Sequence, residues 1–272
     1  MDLTSGNVEM IKIKVQFVQF YATNFNFLSF KFSNNNVKEL VSFIVTTLNE
    51  EDYIERCLKS LKNQSYENKE IILVDSNSTD KTVEISEKYA DKIIVKPCIM
   101  PVGRNLGAKE AKGDILVFVD ADVILLNDWT ERILPYLYED KIGAAYGDLL
   151  PVENTPKAKF FYNLHTLSNS FLRKIGKPVF SKLGTAVAIK RDVFQTVKGY
   201  PEDHAACEDV ELSLRLKKYA EIKFVPEAKG YISMRRFERS GYFNLSLKWF
   251  LTGSCYILTK KLIFSYYSKD FP

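Results

Sequence analysis

From residue 38 onward, short and wholly apolar runs alternate with amphipathic ones. This alternation constrains the fold more than any other feature of the chain. The runs are VSFIVTT at 41–47, EIILVD at 70–75, KIIVK at 92–96 and ILVFV at 115–119. A strand that is apolar along its whole length is covered on both faces, and strands separated by helical patterns pair in parallel. Between the first two runs, Ile54, Leu58 and Leu61 recur at helical spacing. Asn49 is the expected cap of that helix, with Glu50, Glu51 and Asp52 near its positive end. The turn SNSTDKT follows the second strand, and Asp80 is the expected cap of a helix that buries Val83. GRNLGAKEAKG reads as a helix closed by Gly113. The expected fold class is α/β: a mostly parallel central sheet flanked by helices, with a C-terminal helical tail.

Length and charge narrow the options. A chain of 272 residues, 46% of them hydrophobic, can build one large core or two small ones. Its net charge of +4 suits an anionic substrate or a membrane surface and is too slight to indicate nucleic acid. Cys57, Cys98, Cys207 and Cys255 are widely spaced and form no Cys-x-x-Cys, which reads as reduced interior thiols of a cytoplasmic protein. The first residues lack a basic-then-apolar block, so no secretory leader is expected. Residues 1–36 differ from the rest. They are rich in Phe and Asn and form either a hairpin, with Ile11, Ile13, Val15 and Phe17 on one strand face, or a poorly ordered extension. Ser33–Asn36 are a polar linker.

The chemistry-bearing residues stand where strands end. Thr46 and Thr47 close the first run, Asp75 the second, and Asp120 with Asp122 the fourth, in ILVFVDADV. In open α/β sheets, ligands bind beyond the carboxyl ends of the strands, where strand order reverses. Two carboxylates at i and i+2 of a regular strand point to the same side and can share a cation. Oxygen ligands suit Mg²⁺ or Mn²⁺, which keep positions open for phosphate oxygens. A turn with two solvated acids is the plainer alternative. Asp75 can hold a base or ribose, or cap the next helix. Arg104, at a helix start beside Asn105 and after Pro101 and Gly103, is an anion-binding candidate or a surface arginine.

Taken in order, VSFIVTTLNEEDYIERCLKSLKNQSYENKEIILVDSNSTDKT, PVGRNLGAKEAKGDILVFVDADV and KLGTAVAIKRDVFQTVKGYPEDHAACEDVELSLRL resemble glycosyltransferase family 2. The resemblance covers about residues 40–240 and implies the GT-A fold, which is Rossmann-like. It implies a hexosyltransferase-type enzyme that moves a sugar, with inversion, from a nucleoside-diphosphate sugar to an acceptor. By position, Thr46, Thr47, Asn49 and Glu50 would line the nucleotide pocket and Asp75 would contact the base. Arg104 would lie near the diphosphate or base. Asp120 and Asp122 would be the metal motif for Mg²⁺ or Mn²⁺, with Asp122 the more direct ligand. Asp209 of Glu208-Asp209 would be the general base, since an attacking hydroxyl needs a carboxylate opposite the leaving diphosphate. Val210, Leu212, Leu214 and Leu216 alternate like a strand while Leu212, Leu216 and Tyr219 fit a helix; the resemblance decides for helix.

The remaining segments concern the acceptor and the surroundings. KAKFFYNLHTLSNSFLRKIG reads as an amphipathic helix with Phe160, Leu164, Leu167 and Phe171 on one side, packed on the core or forming an acceptor wall. His165 and His204 are not expected to bind metal. Relatives in the family supply a late histidine near the metal, whereas YISMRRFERSGY has none, which leaves that ligand position to water. Arg235 and Arg236 are candidates for a diphosphate or a phosphorylated acceptor, or for surface ion pairs. The segment after residue 240, YFNLSLKWFLTGSCYILTKKLIFSYYSK, is too interrupted by lysines to span a bilayer. It would lie flat on a membrane or pack as a terminal helix. The expected organisation is an extension over 1–36, a GT-A domain over 38–240 and an amphipathic segment over 241–272. The protein would be cytoplasmic, peripheral to the membrane, and would act on a glycan or lipid-linked acceptor. Two alternatives are a sugar-phosphate nucleotidyltransferase, against which TTLNEEDYIERCL lacks a glycine-rich phosphate loop, and a non-catalytic nucleotide-sugar-binding protein.

Overall fold

The computed structural model of the chain describes residues 39–174, 185–204 and 206–261. The expectations for residues 1–36, and for the chain after residue 261, lie outside them. Strand β1 (Val41–Thr47) is followed by α1 (Ile54–Lys62), β2 (Lys69–Asp75), α2 (Thr82–Ser86), β3 (Lys92–Val95) and α3 (Met100–Glu110). Next come β4 (Ile115–Asp120), β5 (Val123–Leu125), α4 (Trp129–Leu137), β6 (Ile142–Pro151) and α5 (Pro156–Lys174). The described chain ends with β7 (Ala186–Lys190), α6 (Arg191–Thr196), α7 (Glu208–Leu216), β8 (Glu221–Ile232), α8 (Arg235–Ser240) and α9 (Tyr242–Thr259).

The strands form one sheet in the order β3-β2-β1-β4-β7-β6-β8-β5. Pairs β3/β2, β2/β1, β1/β4 and β6/β8 are parallel, while β4/β7, β7/β6 and β8/β5 are antiparallel. Alternate residues of β1 serve opposite faces, as a strand requires. Val41, Phe43 and Val45 join a core with α1 and α4, and Ile44 joins a second core with Phe118, Phe194, Tyr200, Leu212 and Leu216. Burial on both sides is why these strands are apolar throughout. Ser42, fully buried in β1, donates to Glu70 and accepts from the Gly113 amide.

Three local expectations are corrected. Asn49 does not cap α1: the helix begins at Ile54 after Tyr53 with no side-chain cap, and the Glu50 carbonyl accepts from the Tyr53 and Ile54 amides. Instead Asn49 takes a left-handed conformation (φ 55°), its amide donates to Ser78 Oγ, and its Oδ1 accepts from the Thr79 amide. Helix α3 ends at Glu110, with Ala111 already extended, so Gly113 does not close it. Gly113 is small for another reason: a Cβ there would lie 2.3 Å from the Leu40 carbonyl oxygen. The third correction concerns α5: of the two placements expected for its apolar side, packing on the core does not hold, since Phe160, Leu164 and Leu167 are 62%, 50% and 70% exposed, and the side chain of Phe171 lies outside the described ones. Ala158, Phe161 and Asn169 lie on its inner side.

Candidate active site at the carboxyl ends of β1, β2 and β4

The chain leaves β1 for β2 and β3 on one side, then crosses back to β4 on the other. Strand order therefore reverses between β1 and β4, which is where a ligand crevice opens in such sheets. In the register, Thr47 stands opposite Asp75 and Thr46 opposite Asp120. The end of β1 thus has one carboxylate-bearing neighbour on each flank.

Asp75 is fully buried and its oxygens are engaged. Thr47 Oγ1 donates at 2.8 Å, the Ser78 amide at 2.7 Å and Ser78 Oγ at 2.6 Å. It thereby organises the 76–82 turn, which is tied in turn to the 49–51 loop. Asp80 accepts from the Thr82 and Glu51 amides, and the Glu50 amide donates to Thr82 Oγ1. Asp80 is not the cap expected of it: the cap position of α2 is Lys81, which makes no side-chain cap bond, and Asp80, one residue earlier, bonds to the amide of the first helical residue, Thr82.

Helix α3 brings Arg104 under the end of β4. The helix lies very close to the sheet: a Cβ on Gly107 would stand 2.4 Å from Ile44 Cγ2. Arg104, 3% exposed, reaches Asp120 Oδ1 at 2.8 Å and Glu208 Oε1 at 3.3 Å, with its guanidinium 5.0 Å from the centre of the Tyr200 ring. Burial disfavours its charge, but Tyr200, Asp120 and Glu208 together raise its pKa. Burial also raises the pKa of Asp120, with Asp122 adding repulsion and Arg104 opposing the shift.

Asp122 does not continue β4. Residues 121 and 122 form a turn before β5, so the two aspartates are not on one side of a regular strand, and each meets a different arginine. Arg235, at the start of α8, approaches Asp122 Oδ2 at 3.2 Å and the Glu50 carboxylate at 2.6 Å. Its guanidinium lies 4.1 Å from the centre of the Tyr53 ring. Burial raises the Glu50 pKa, and the bonds from Arg235 pull it back only in part. Arg236 is exposed, and its charge lowers the pKa of both Asp120 and Glu50. The Ser233 amide donates to the Asp122 carbonyl, and Ser233 Oγ donates to Glu153.

Asp209 sits in the first turn of α7 and its Oδ1 accepts from the Val210 amide. Val187, Ile189, Leu212 and Leu216 line the space beside it. Burial, with repulsion from Glu208 and partial relief from Arg104, raises its pKa to about 7. Arg104 therefore links the two carboxylate groups: it bonds to Asp120 and Glu208 and acts on Asp209 through space. Three participants were not legible in the sequence: Tyr53, Tyr200 and Glu208 as an arginine partner. Each of their arginine contacts joins residues about a hundred or more positions apart. A cavity of about 600 Å³ lies elsewhere, lined by Lys96, Val102, Asn105, Lys109, Phe194 and Lys198 among others, and none of these four aspartates borders it.

The donor set suits a hard divalent cation. Asp120 Oδ1 and Asp122 Oδ2 carry the arginine bonds, and it is the other oxygen of each carboxylate that could hold a metal. No group of three His, Cys, Asp or Glu side chains that could hold a metal occurs among the described residues. Two carboxylates completed by phosphate oxygens and water are a usual arrangement for Mg²⁺.

Residues 42–198 match the family described as Glycosyl transferase family 2. A probable glycosyltransferase of Bacillus subtilis strain 168, YdaM, is 30% identical over 220 residues, covering 71% of this chain and 51% of its own. The O-antigen chain rhamnosyltransferase WbaN of Salmonella anatum is 27% identical over 214 residues, covering 70% of this chain and 67% of its own. The chain spans about half the length of the first of these relatives. Among solved structures, the mannosyltransferase PcManGT from Pyrobaculum calidifontis, in complex with GDP-Man and Mn²⁺, superposes with a TM-score of 0.57 at 21% identity. That match covers 79% of this chain and 63% of the other. S. aureus TarS 1-349 in complex with UDP-GlcNAc gives 0.54 at 20% identity, covering 72% and 58%. The fold is that of these proteins, the GT-A arrangement expected from the sequence.

Proposed function

The chain belongs to glycosyltransferase family 2, and from that premise we propose that it transfers a sugar from a nucleoside-diphosphate sugar to an acceptor, with inversion at the anomeric carbon. One observation carries the reading. Asp75, the Asp120 and Asp122 pair, and Asp209 come from three separate segments, and the first two of these end beside the reversal point of the sheet. Arg104 bridges Asp120 to the Glu208-Asp209 turn.

Each residue has a task in this reading. Thr46, Thr47, Asn49, Glu50 and the Asp75 turn form the nucleotide end of the crevice. Asp120 and Asp122 hold Mg²⁺ or Mn²⁺, which when bound neutralises the departing diphosphate. Arg235 and Arg236 face the same phosphates, with Arg235 poised by Glu50 and Tyr53. Arg104 orients Asp120 and keeps the Glu208-Asp209 turn near the reacting centre. Asp209 accepts the proton of the attacking acceptor hydroxyl, and a carboxylate whose pKa lies near 7 is well matched to that role. An acceptor phosphate would need no such base, so Asp209 favours a hydroxyl.

The acceptor class follows from the surroundings. The cationic, apolar C-terminal helix supports a reaction at a membrane surface on a lipid-linked glycan. A thermal-shift screen of nucleoside-diphosphate sugars with Mn²⁺, against the same set with a chelator, tests the donor. A metal-dependent rise in melting temperature for one donor supports the reading. A flat response to every donor would count against it.

A further inference from the structure

We propose that α5 and α9 together form a docking face for an anionic lipid bilayer, fastened to the helix that carries Asp209. The proposal rests on the membrane-surface reading above and deepens it, because α5 becomes a partner of the C-terminal helix.

The two helices meet through aromatic contacts, with the start of α8 in the same cluster. The Phe161 and Tyr242 rings are 5.1 Å apart, His165 and Trp249 are 6.0 Å apart, and Ala158, Met234, Phe237 and Leu245 fill the seam. Each helix nevertheless leaves an apolar stripe in solvent. On α5 it is Phe160, Leu164 and Leu167, at i, i+4 and i+7. On α9 it is Phe243, Leu247, Phe250, Leu251 and Leu258, with Phe243, Phe250 and Leu258 each more than 65% exposed. Isolated exposed leucines are ordinary, whereas two neighbouring stripes of large apolar side chains mark an interaction surface.

Charge identifies the occupant. Helix α5 contains Lys157, Lys159, Arg173 and Lys174 and no Asp or Glu. Residues 242–261 contain Lys248, Lys260 and Lys261 and again no acid. The whole chain is only +4, so the remainder is net negative. Positive charge is thus gathered on α5, α9 and the two residues after α9, of which Lys260 is held by Glu211, and this is the composition of a helix lying in the interface of an anionic membrane. No helix among the described residues is long and apolar enough to cross one.

The face is also joined to the chemistry. Near the end of α9, Tyr256 donates to Glu211 of α7 at 2.7 Å and Lys260 Nζ lies 2.9 Å from the same carboxylate. Tyr256 packs with Cys207 and Val210, and the two residues between these are Glu208 and Asp209. A bilayer held by α5 and α9 is therefore held at a fixed relation to the base, which suits an acceptor borne on lipid.

Co-sedimentation with phosphatidylglycerol/phosphatidylcholine vesicles tests this, using the full chain, L164S/L167S on α5 and F243S/F250S on α9. All four positions are exposed, so the variants should keep the wild-type melting temperature. Wild type should bind these vesicles and not phosphatidylcholine alone, and each double variant should bind about tenfold or more weakly. Normal binding by L164S/L167S with loss in F243S/F250S would overturn the two-helix face while leaving the C-terminal helix as an anchor. No vesicle binding by wild type would overturn the membrane reading as well. So would a wild-type dimer in solution that both variants dissociate, because the face would then belong to a second copy of the chain.

Discussion

Arg104 and Asp120 form a buried ion pair, guanidinium to carboxylate at 2.8 Å, across the point where the sheet reverses its strand order. The same guanidinium reaches Glu208 at 3.3 Å, so one cation serves a strand end and a helix start 88 residues apart. Removing one partner of such a pair leaves uncompensated charge in a dry site. Arg104→Ala should destabilise the fold by about 3–5 kcal/mol, measured by denaturant unfolding. Arg104→Lys should recover only part, since a point charge cannot bond two carboxylates with planar geometry. An unaltered unfolding midpoint for Arg104→Ala would remove the pair from the framework.

Asp209 should be separable from donor binding. Asp209→Asn should lower kcat by about 10²–10⁴-fold, with the donor dissociation constant unchanged by calorimetry. Wild-type kcat/KM should rise with pH through about 7 and then level, because the base works only when ionised. The stability effect has the opposite sign. A carboxyl whose folded pKa is raised favours the folded state below its ordinary value of 3.8, and that advantage fades as pH climbs through about 7. Asp209→Asn should therefore gain melting temperature relative to wild type above pH 7.

In the proposed site Arg235, 3.2 Å from Asp122 Oδ2, would repel a metal held by the other oxygen of that carboxylate. Arg235→Ala should bind Mn²⁺ more tightly than wild type when no nucleotide is present. It should also bind donor about tenfold or more weakly, the loss expected for a hydrogen bond to a charged group. Isothermal titration of Mn²⁺ and of nucleoside diphosphate reads both. Parallel losses of metal and donor would instead make Arg235 a scaffold of the site.

At the α7–α9 junction, burial alone would raise the Glu211 pKa, but bonds from Tyr256, Lys260 and Arg215 hold it down at about 2. A depressed carboxylate stabilises the fold above its ordinary value of 4.5, and the contribution is lost as pH falls toward 2. Tyr256→Phe should cost about 1 kcal/mol at neutral pH and increase hydrogen exchange along the end of α9. Unchanged exchange there would mean that the helix is held by apolar packing alone.

Half of the eight-stranded sheet, β1 to β4, was legible in the sequence as short apolar runs, and β1, β2 and β4 obey a local rule: a run buried on both faces is apolar throughout. Thr46, Asp75 and Asp120 were legible for a related reason, since they mark where those runs emerge. The α7 helix needed the family pattern, because Val210, Leu212, Leu214 and Leu216 fit two periods. The arginine contacts were not legible. Arg235 meets Glu50 across 185 residues, and neither neighbourhood carries a trace of the other. Asn49 misled because a capping residue type can equally adopt the left-handed conformation it has here. Phe160, Leu164 and Leu167 misled because helical spacing of apolar residues reports a stripe without saying whether it faces a core or something outside the chain. The long β8 alternates polar and apolar residues on each side of Pro226, but the break there, where its pairing with β6 shifts register between Tyr146 and Asp148, hides that the two halves are one strand.

The central claim is that Asp120 and Asp122 hold a divalent cation against a nucleoside diphosphate. Electron paramagnetic resonance of Mn²⁺ with wild type, Asp122→Ala, and added UDP or GDP addresses it directly. The account predicts that the free Mn²⁺ signal falls when protein and one of the two nucleotides are both present, and that Asp122→Ala abolishes this ternary binding. Equal loss of free Mn²⁺ in wild type and Asp122→Ala would contradict it.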